Sequence, residues 1–231
     1  MYIGERDISR SGSLEMEDNM AMVTRTLMLH EDVIPPDTQP VYLHGGPRAI
    51  YVRDGSVHLD SDTASQYLSE ANGMVTTGQI TVRGGASGAR LWRWDLVEPE
   101  FADRPHTLHS APATTSELKM QAEYDLDPRF GLLMRLDRVT FPPGGTAWTH
   151  QHQGPGIRIC QNGEITIDTE GVSTTYRSGE AWSEMGVIPV LAPTTPKNST
   201  TFIRCFLLPA HNRGASSFRL VLPEDRDKYN T

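Results

Sequence analysis

The 231-residue chain is predicted to be all-β, built from two copies of one barrel-forming unit. Two observations predict it. Short apolar or alternating runs recur between clusters of Gly, Pro, Asn and Asp, the texture of a sandwich or barrel. A segment of the first half also returns in the second half, its matches in the same order. At about 100–200 residues per domain, the length suits one large domain or two small ones. A hydrophobic share of 37% lies well above that of disordered chains.

Residues 1–30 stand apart as an N-terminal arm. Residues 1–18 are rich in Ser, Gly and charge, and residues 16–29 are Met-rich. Their apolar positions, Met20, Met22, Val23, Leu27 and Met28, keep neither the helical nor the strand period, and read as a short helix or an arm. A first barrel is expected over residues 31–97, with strand runs at 49–52, 57–59, 79–82 and 89–96. Residues 98–127 are acidic and Pro-rich and contain Asp103-Arg104-Pro105-His106. They read as a connection, helical around 117–123. A second barrel is expected over 128–222, with runs at 132–141, 157–160, 165–167 and 201–208, and residues 223–231 form a tail.

The repeat fixes the relation between the halves. His44, Gly46, Pro47 and Gly55 recur 108 residues later as His152, Gly154, Pro155 and Gly163. Pro35-Pro36 precedes the first copy and Pro142-Pro143 the second. Further on, Leu68-Ser69-Glu70 matches Trp182-Ser183-Glu184, and Leu91-Trp92-Arg93 resembles Phe202-Ile203-Arg204. The offsets drift, as small loop insertions require.

Composition narrows the function classes. A net charge of −8 argues against nucleic-acid binding, which needs Lys and Arg to displace counterions from phosphates. No stretch approaches the roughly 18 apolar residues of a membrane span. The polar start, residues 1–10, lacks the apolar core of a secretion signal. Two cysteines, Cys160 and Cys205, are too few for a disulfide framework or a cysteine-built zinc site. A cytoplasmic protein without nucleic-acid or membrane partners is the expectation.

The second copy carries the chemistry. Gly144 is followed after five residues by His150-Gln151-His152, then by Gly156 and Gly163. This resembles the first motif of the cupin superfamily, with Gly156 where that motif has glutamate. The second cupin motif survives only as a shadow in 179–189, with Glu184 at the expected proline and Pro189 at the expected third histidine. The resemblance covers about residues 33–222. It implies a bicupin: two jelly-roll barrels, often with a divalent metal held by three His and one Glu.

Residues two apart on a strand share a face, so His150 and His152 point the same way, into the barrel or out. Facing inward, two imidazoles suit Fe, Mn, Ni, Cu or Zn. Two alone make a poor site, since zinc and non-haem iron usually take three protein ligands. Glu184 is the candidate third, giving a metal set of His150, His152 and Glu184. The same three are the candidate catalytic acids and bases, Glu184 with its pKa raised by burial. Arg158 and Cys160 share the inward parity of Gly156, while Ile157 and Ile159 pack outside. Arg158 would hold a substrate anion or pair internally with Glu184 or Asp137. Cys160 would be a small filler at the pocket, and Trp148, in parity with the histidines, would line it. In the first copy Tyr42 replaces the first histidine and Arg48 the glutamate, so that barrel is expected to bind no metal and to be structural, the alternative being an anion site of His44, Arg48 and Tyr42. His106, His109 and His211 fall in loops at no ligand spacing.

The function expected is a cupin-type enzyme, a lyase or isomerase, acting on a small anionic molecule by proton transfer: elimination, isomerisation, cyclisation or decarboxylation. The alternatives are a quercetinase-like metal-dependent dioxygenase and a non-catalytic small-molecule binder. A homodimer is expected.

Overall fold

The computed structural model describes residues 1–8, 21–103, 108 and 110–228. The first half comprises β1 (Tyr2–Asp7), β2 (Val23–Ile34), β3 (Val41–Leu43), β4 (Arg48–Asp60), β5 (Ser65–Ser69), β6 (Gly73–Thr76), β7 (Ile80–Val97) and β8 (Thr115–Leu126), with the one-turn helix α1 (Pro99–Ala102) after β7. The second half comprises β9 (Leu132–Phe141), β10 (Thr146–Gln151), β11 (Gly156–Asn162), β12 (Glu164–Thr169), β13 (Val172–Arg177), β14 (Ala181–Glu184), β15 (Val190–Pro193), β16 (Thr200–Pro209) and β17 (Arg219–Leu220). Every pairing between these strands is antiparallel, as the all-β reading requires.

The first half is a sheet in the order β5-β4-β7-β2-β8, with β3 on β7 and β6 on β4. The second half has two facing sheets, β1-β9-β16-β11-β14 and β13-β12-β15-β10-β17. The repeat shows where the sheets bend. Gly55 and Gly163 hold φ of 77° and 78°, a left-handed conformation that glycine adopts without steric cost. Around Gly55 the β4–β7 register slips twice, so one long strand folds over; at Gly163 the equivalent bend divides β11 from β12. Each Pro-Pro pair follows the matching strand, β2 or β9, and the next residue turns the chain with positive φ, 56° at Asp37 and 73° at Gly144.

Alternation along the strands separates a lumen face from an outer face in each half. The outer faces meet. Leu27 and Leu29 of β2, Trp92 and Trp94 of β7, Ile157 and Ile159 of β11, and Ile203, Cys205 and Leu207 of β16 form one buried cluster between the halves. Ile157 and Ile159 thus lie outside their barrel, packed on the other one. Burial on both faces is why β16 reads as a nearly unbroken apolar run. Tyr51 Oη bonds Gln161 Oε1 at 2.9 Å and Tyr124 Oη bonds Ser183 Oγ at 2.8 Å across the same seam.

Two segments differ from expectation. Residues 117–123 are not helical: they lie in β8, paired along the edge of β2. Glu, Leu, Lys, Met and Ala favour helix, but the open edge of β2 offers a full backbone ladder and a buried place for Tyr124. The Met-rich segment is strand from Val23 onward, with Leu27, Met28 and Leu29 fully buried, and Met20 lies outside the described residues. Residues 2–7 pair with β9 of the second half. His106 and His109 also lie outside the described residues.

Candidate functional site

The second barrel encloses a cavity of about 270 Å³. His150, His152, Arg158, Glu184 and Arg204 supply its polar wall; Ile165, Ile167, Ala192, Phe202 and Phe218 are among its apolar residues. His150 and His152 are 6% and 4% exposed, with ring centroids 4.9 Å apart. His150 Nδ1–H donates to the Trp148 carbonyl at 2.8 Å. A carbonyl only accepts, so in the neutral ring Nε2 is the basic nitrogen. His152 Nδ1 lies 3.2 Å from Ser217 Oγ, and Phe218 stacks on His150 at 4.5 Å.

Trp148 does not line this cavity. The register of β10 against β15 slips between Ala147 and His150, so simple alternation fails at Trp148. Ala147 and the two histidines face the lumen, and the Trp148 ring lies under the Lys228 ammonium at 4.2 Å. Cys160 faces inward but sits beyond the cavity wall, in the core with Ile165, Trp182 and Phe202. Its Sγ lies 3.4 Å from the Asn162 carbonyl, and burial pushes the thiol up to about 12. That fits a filler and gives it no place against a ligand.

Below the histidines is a cluster of guanidinium groups. Arg158, Arg204 and Arg135 pack around the Phe206 ring at 4.8, 4.6 and 5.5 Å. Arg158 pairs with Glu184 at 2.8 Å, the internal pairing that sequence parity left open. Glu184 also accepts from Trp182 Nε1 at 2.7 Å. Asp137 takes both Arg204, at 3.2 Å, and Arg135, at 3.4 Å. Three guanidinium groups therefore share two carboxylates. Burial lowers the pKa of Arg204, and repulsion from Arg158 and Arg135 adds to this against the pull of Asp137.

The first barrel lacks that surplus. Arg93 pairs with Asp32 at 2.6 Å and with Asp95, and Arg48 pairs with Asp95 at 2.5 Å. Two arginines face two aspartates. Tyr42 and His44 lie on the surface, while Arg48 is buried against Asp95, so the three residues of the first copy are not gathered into one site.

No protein-family model and no curated protein matches the sequence; the likeness lies in the fold. Oxalate decarboxylase of Lactobacillus farciminis, solved as a formate complex, superposes with a TM-score of 0.59 at 10% identity over 94% of this chain and 88% of that one. Oxalate decarboxylase of Bacillus subtilis gives 0.58 at 11% identity over 95% and 80%. AerE of Microcystis aeruginosa gives 0.51 at 11% identity over 84% and 95%. This chain has the cupin fold.

The Bacillus enzyme is described with Mn(II) centres. The residues here do not fit such a metal. Among the described residues no three His, Cys, Asp or Glu side chains come together as a donor set. His150 and His152 do converge, but Glu184 is engaged by Arg158 and Trp182, so the set His150, His152 and Glu184 is not assembled. The cupin glutamate position is closed as well. A Cβ on Gly156 would lie 2.1 Å from the Cys205 carbonyl oxygen, so the backbone there admits no side chain. Guanidinium groups of Arg158 and Arg204 occupy the same lumen and repel a cation.

Burial lowers the pKa of both histidines, and the charges of Arg204 and Arg158 lower them further. The folded state therefore holds neutral rings where the unfolded chain would take up protons below about 6.5. Stability should be full above that pH and fall steadily as pH drops beneath it. Melting curves between pH 7.5 and 5.5 should show the loss, and a His152→Asn variant should show a shallower slope. An equal slope would place the titration elsewhere.

Sequence reasoning passed over Arg204, Phe206, Ser217 and Phe218. Arg204 left a signal: one arginine inside the apolar run 201–208, aligned by the repeat with Arg93. Ser217 and Phe218 left none, because they reach the site through the β17 pairing with His150 and Gln151.

Proposed function

We propose that the second barrel is the active site of a lyase or isomerase that moves a proton on a small organic anion. A guanidinium surplus around the lumen carries this reading: Arg158 and Arg204 line the cavity, Arg135 joins them around Phe206, and the three share two carboxylates, which leaves one buried positive charge for a ligand anion to neutralise. His150 supplies the base. With Nδ1–H held by the Trp148 carbonyl, its Nε2 can take a proton from carbon next to the anion, and the depressed pKa keeps it unprotonated at neutral pH. The C–H electron pair stays on the substrate as an enolate beside Arg158 and Arg204. Return of the proton to another carbon gives isomerisation; departure of a leaving group gives elimination. The carboxylate chemistry named for the oxalate decarboxylases supports the reading at the level of fold only.

A non-catalytic binder is the second reading, supported by the largely apolar wall and by His152, whose pKa is pushed far below neutral. One experiment separates them. The protein is incubated in D₂O with a panel of small 2-oxo and unsaturated acids, and C–H exchange is followed by proton NMR. Exchange that drops at least about 100-fold in His150→Asn supports the enzyme. Acids that bind without exchange leave a binder.

The reading also includes a cytoplasmic location, supported by the two unpaired buried cysteines. It includes a homodimer, for which the edge strand β13 with its exposed Val172 is a candidate contact. No nucleic-acid or membrane partner belongs to it. No helix of the described residues is long and apolar enough to cross a membrane.

A further inference from the structure

The cavity is sorted along its length. Arg158 and Arg204 are register partners across β11 and β16, and His152 joins them around the Phe206 ring, at 4.8 Å. Two residues along β16 from Arg204, about 6.6 Å at strand spacing, stands Phe202, paired with Cys160 instead of with another charge. From there the wall is apolar: Phe141 stacks on Phe202 at 6.2 Å, and Ile165, Ile167 and Ala192 face them. One end of the space is net cationic, Arg158 and Arg204 against the single carboxylate of Glu184, and the other has no charged side chain. At about 30 Å³ per water, the 270 Å³ cavity holds roughly nine water-sized groups.

We infer that the ligand is a monocarboxylate with a flat apolar body, its carboxylate at Arg204 and Arg158 and its body between Phe218, Phe202 and Ile167. This deepens the anion reading above and rests on it. A compact dicarboxylate such as oxalate fits worse on two counts. It would bring two negative charges to a lumen with one uncompensated positive charge. It would also leave the apolar end filled by water or empty, while a ring there gains burial against Phe202 and flat stacking of the kind Phe218 already makes with His150.

Calorimetric titration of the full chain with benzoate, phenylacetate, benzamide, acetate, oxalate and malonate tests it. Benzoate or phenylacetate should bind at least tenfold tighter than benzamide, and at least tenfold tighter than oxalate or malonate. Arg204→Gln should erase the preference for acid over amide. Ala192→Leu, which projects into the apolar end and whose folding is checked by its melting curve, should weaken the aromatic acids at least tenfold and leave acetate unchanged, and Ala192→Val, a smaller change at the same buried position, should do so in part. Oxalate or malonate binding as tightly as the aromatic acids would overturn the inference and leave the anion reading standing. Benzamide matching benzoate, or no anion binding at all, would overturn both.

Discussion

A Gly156→Glu variant, which writes the cupin glutamate back into its motif, is expected to lose about 3 kcal/mol of stability or more and to gain no metal. The reason is backbone proximity. A Cβ at residue 156 would stand 2.1 Å from the Cys205 carbonyl oxygen and 3.0 Å from its carbon, and a β16 backbone buried on both faces cannot retreat. Overpacking against a movable side chain can be relieved by a rotamer change; against a paired strand it requires the ladder to part. Urea denaturation measures the loss, and elemental analysis after incubation with Mn(II), Fe(II) or Zn(II) measures the metal. Gly78→Ala, where nothing lies within 4 Å of the added Cβ, is the control and should be close to neutral. A stable Gly156→Glu protein with one bound metal per chain would show that β11 and β16 can separate and that the lumen accepts a cation after all.

Arg158→Met should cost about 3 kcal/mol, the lower end of what breaking a buried ion pair usually costs. Two effects oppose each other. Glu184, with its side chain 10% exposed, loses its guanidinium partner and keeps only the Trp182 N–H, a large penalty for a buried carboxylate. Against that, removing one of three clustered cations relieves the repulsion that weakens Arg204. The penalty wins because Glu184 is within 2.8 Å of Arg158, whereas Arg204 keeps Asp137. Arg158→Met with Glu184→Gln should recover most of the loss, since no unpaired charge then stays buried. Denaturation of both single variants and the double variant gives the coupling directly. If Arg158→Met cost less than about 1 kcal/mol, the ion pair would not be holding Glu184.

Particular residues show how far the sequence could be read. The repeat placed Gly55 and Gly163 at equivalent positions, and both bend their sheets at matching φ. Alternation along β11 correctly sent Arg158 into the lumen and Ile157 and Ile159 out, because that stretch carries no bulge until Cys160. The same rule failed for Trp148, where the β10 register slips before His150. It failed differently at residues 117–123, where helix-forming side chains were overruled by a strand edge supplied from residues 23–33, far away in the chain.

From the sequence alone came the all-β class and the shared face of His150 and His152, together with the expectation of a duplicated unit whose first copy is degenerate. These rest on local rules: side-chain period, turn residues and the order of matched motifs. The tertiary structure alone decided that Glu184 answers Arg158, that three arginines share Phe206, and that Ser217 and Phe218 close on the histidines. It also decided that no side chain can stand at residue 156. Those facts depend on which strands lie side by side and how closely their backbones approach, and distances between segments far apart in the chain are set by packing, not by any pattern within one segment.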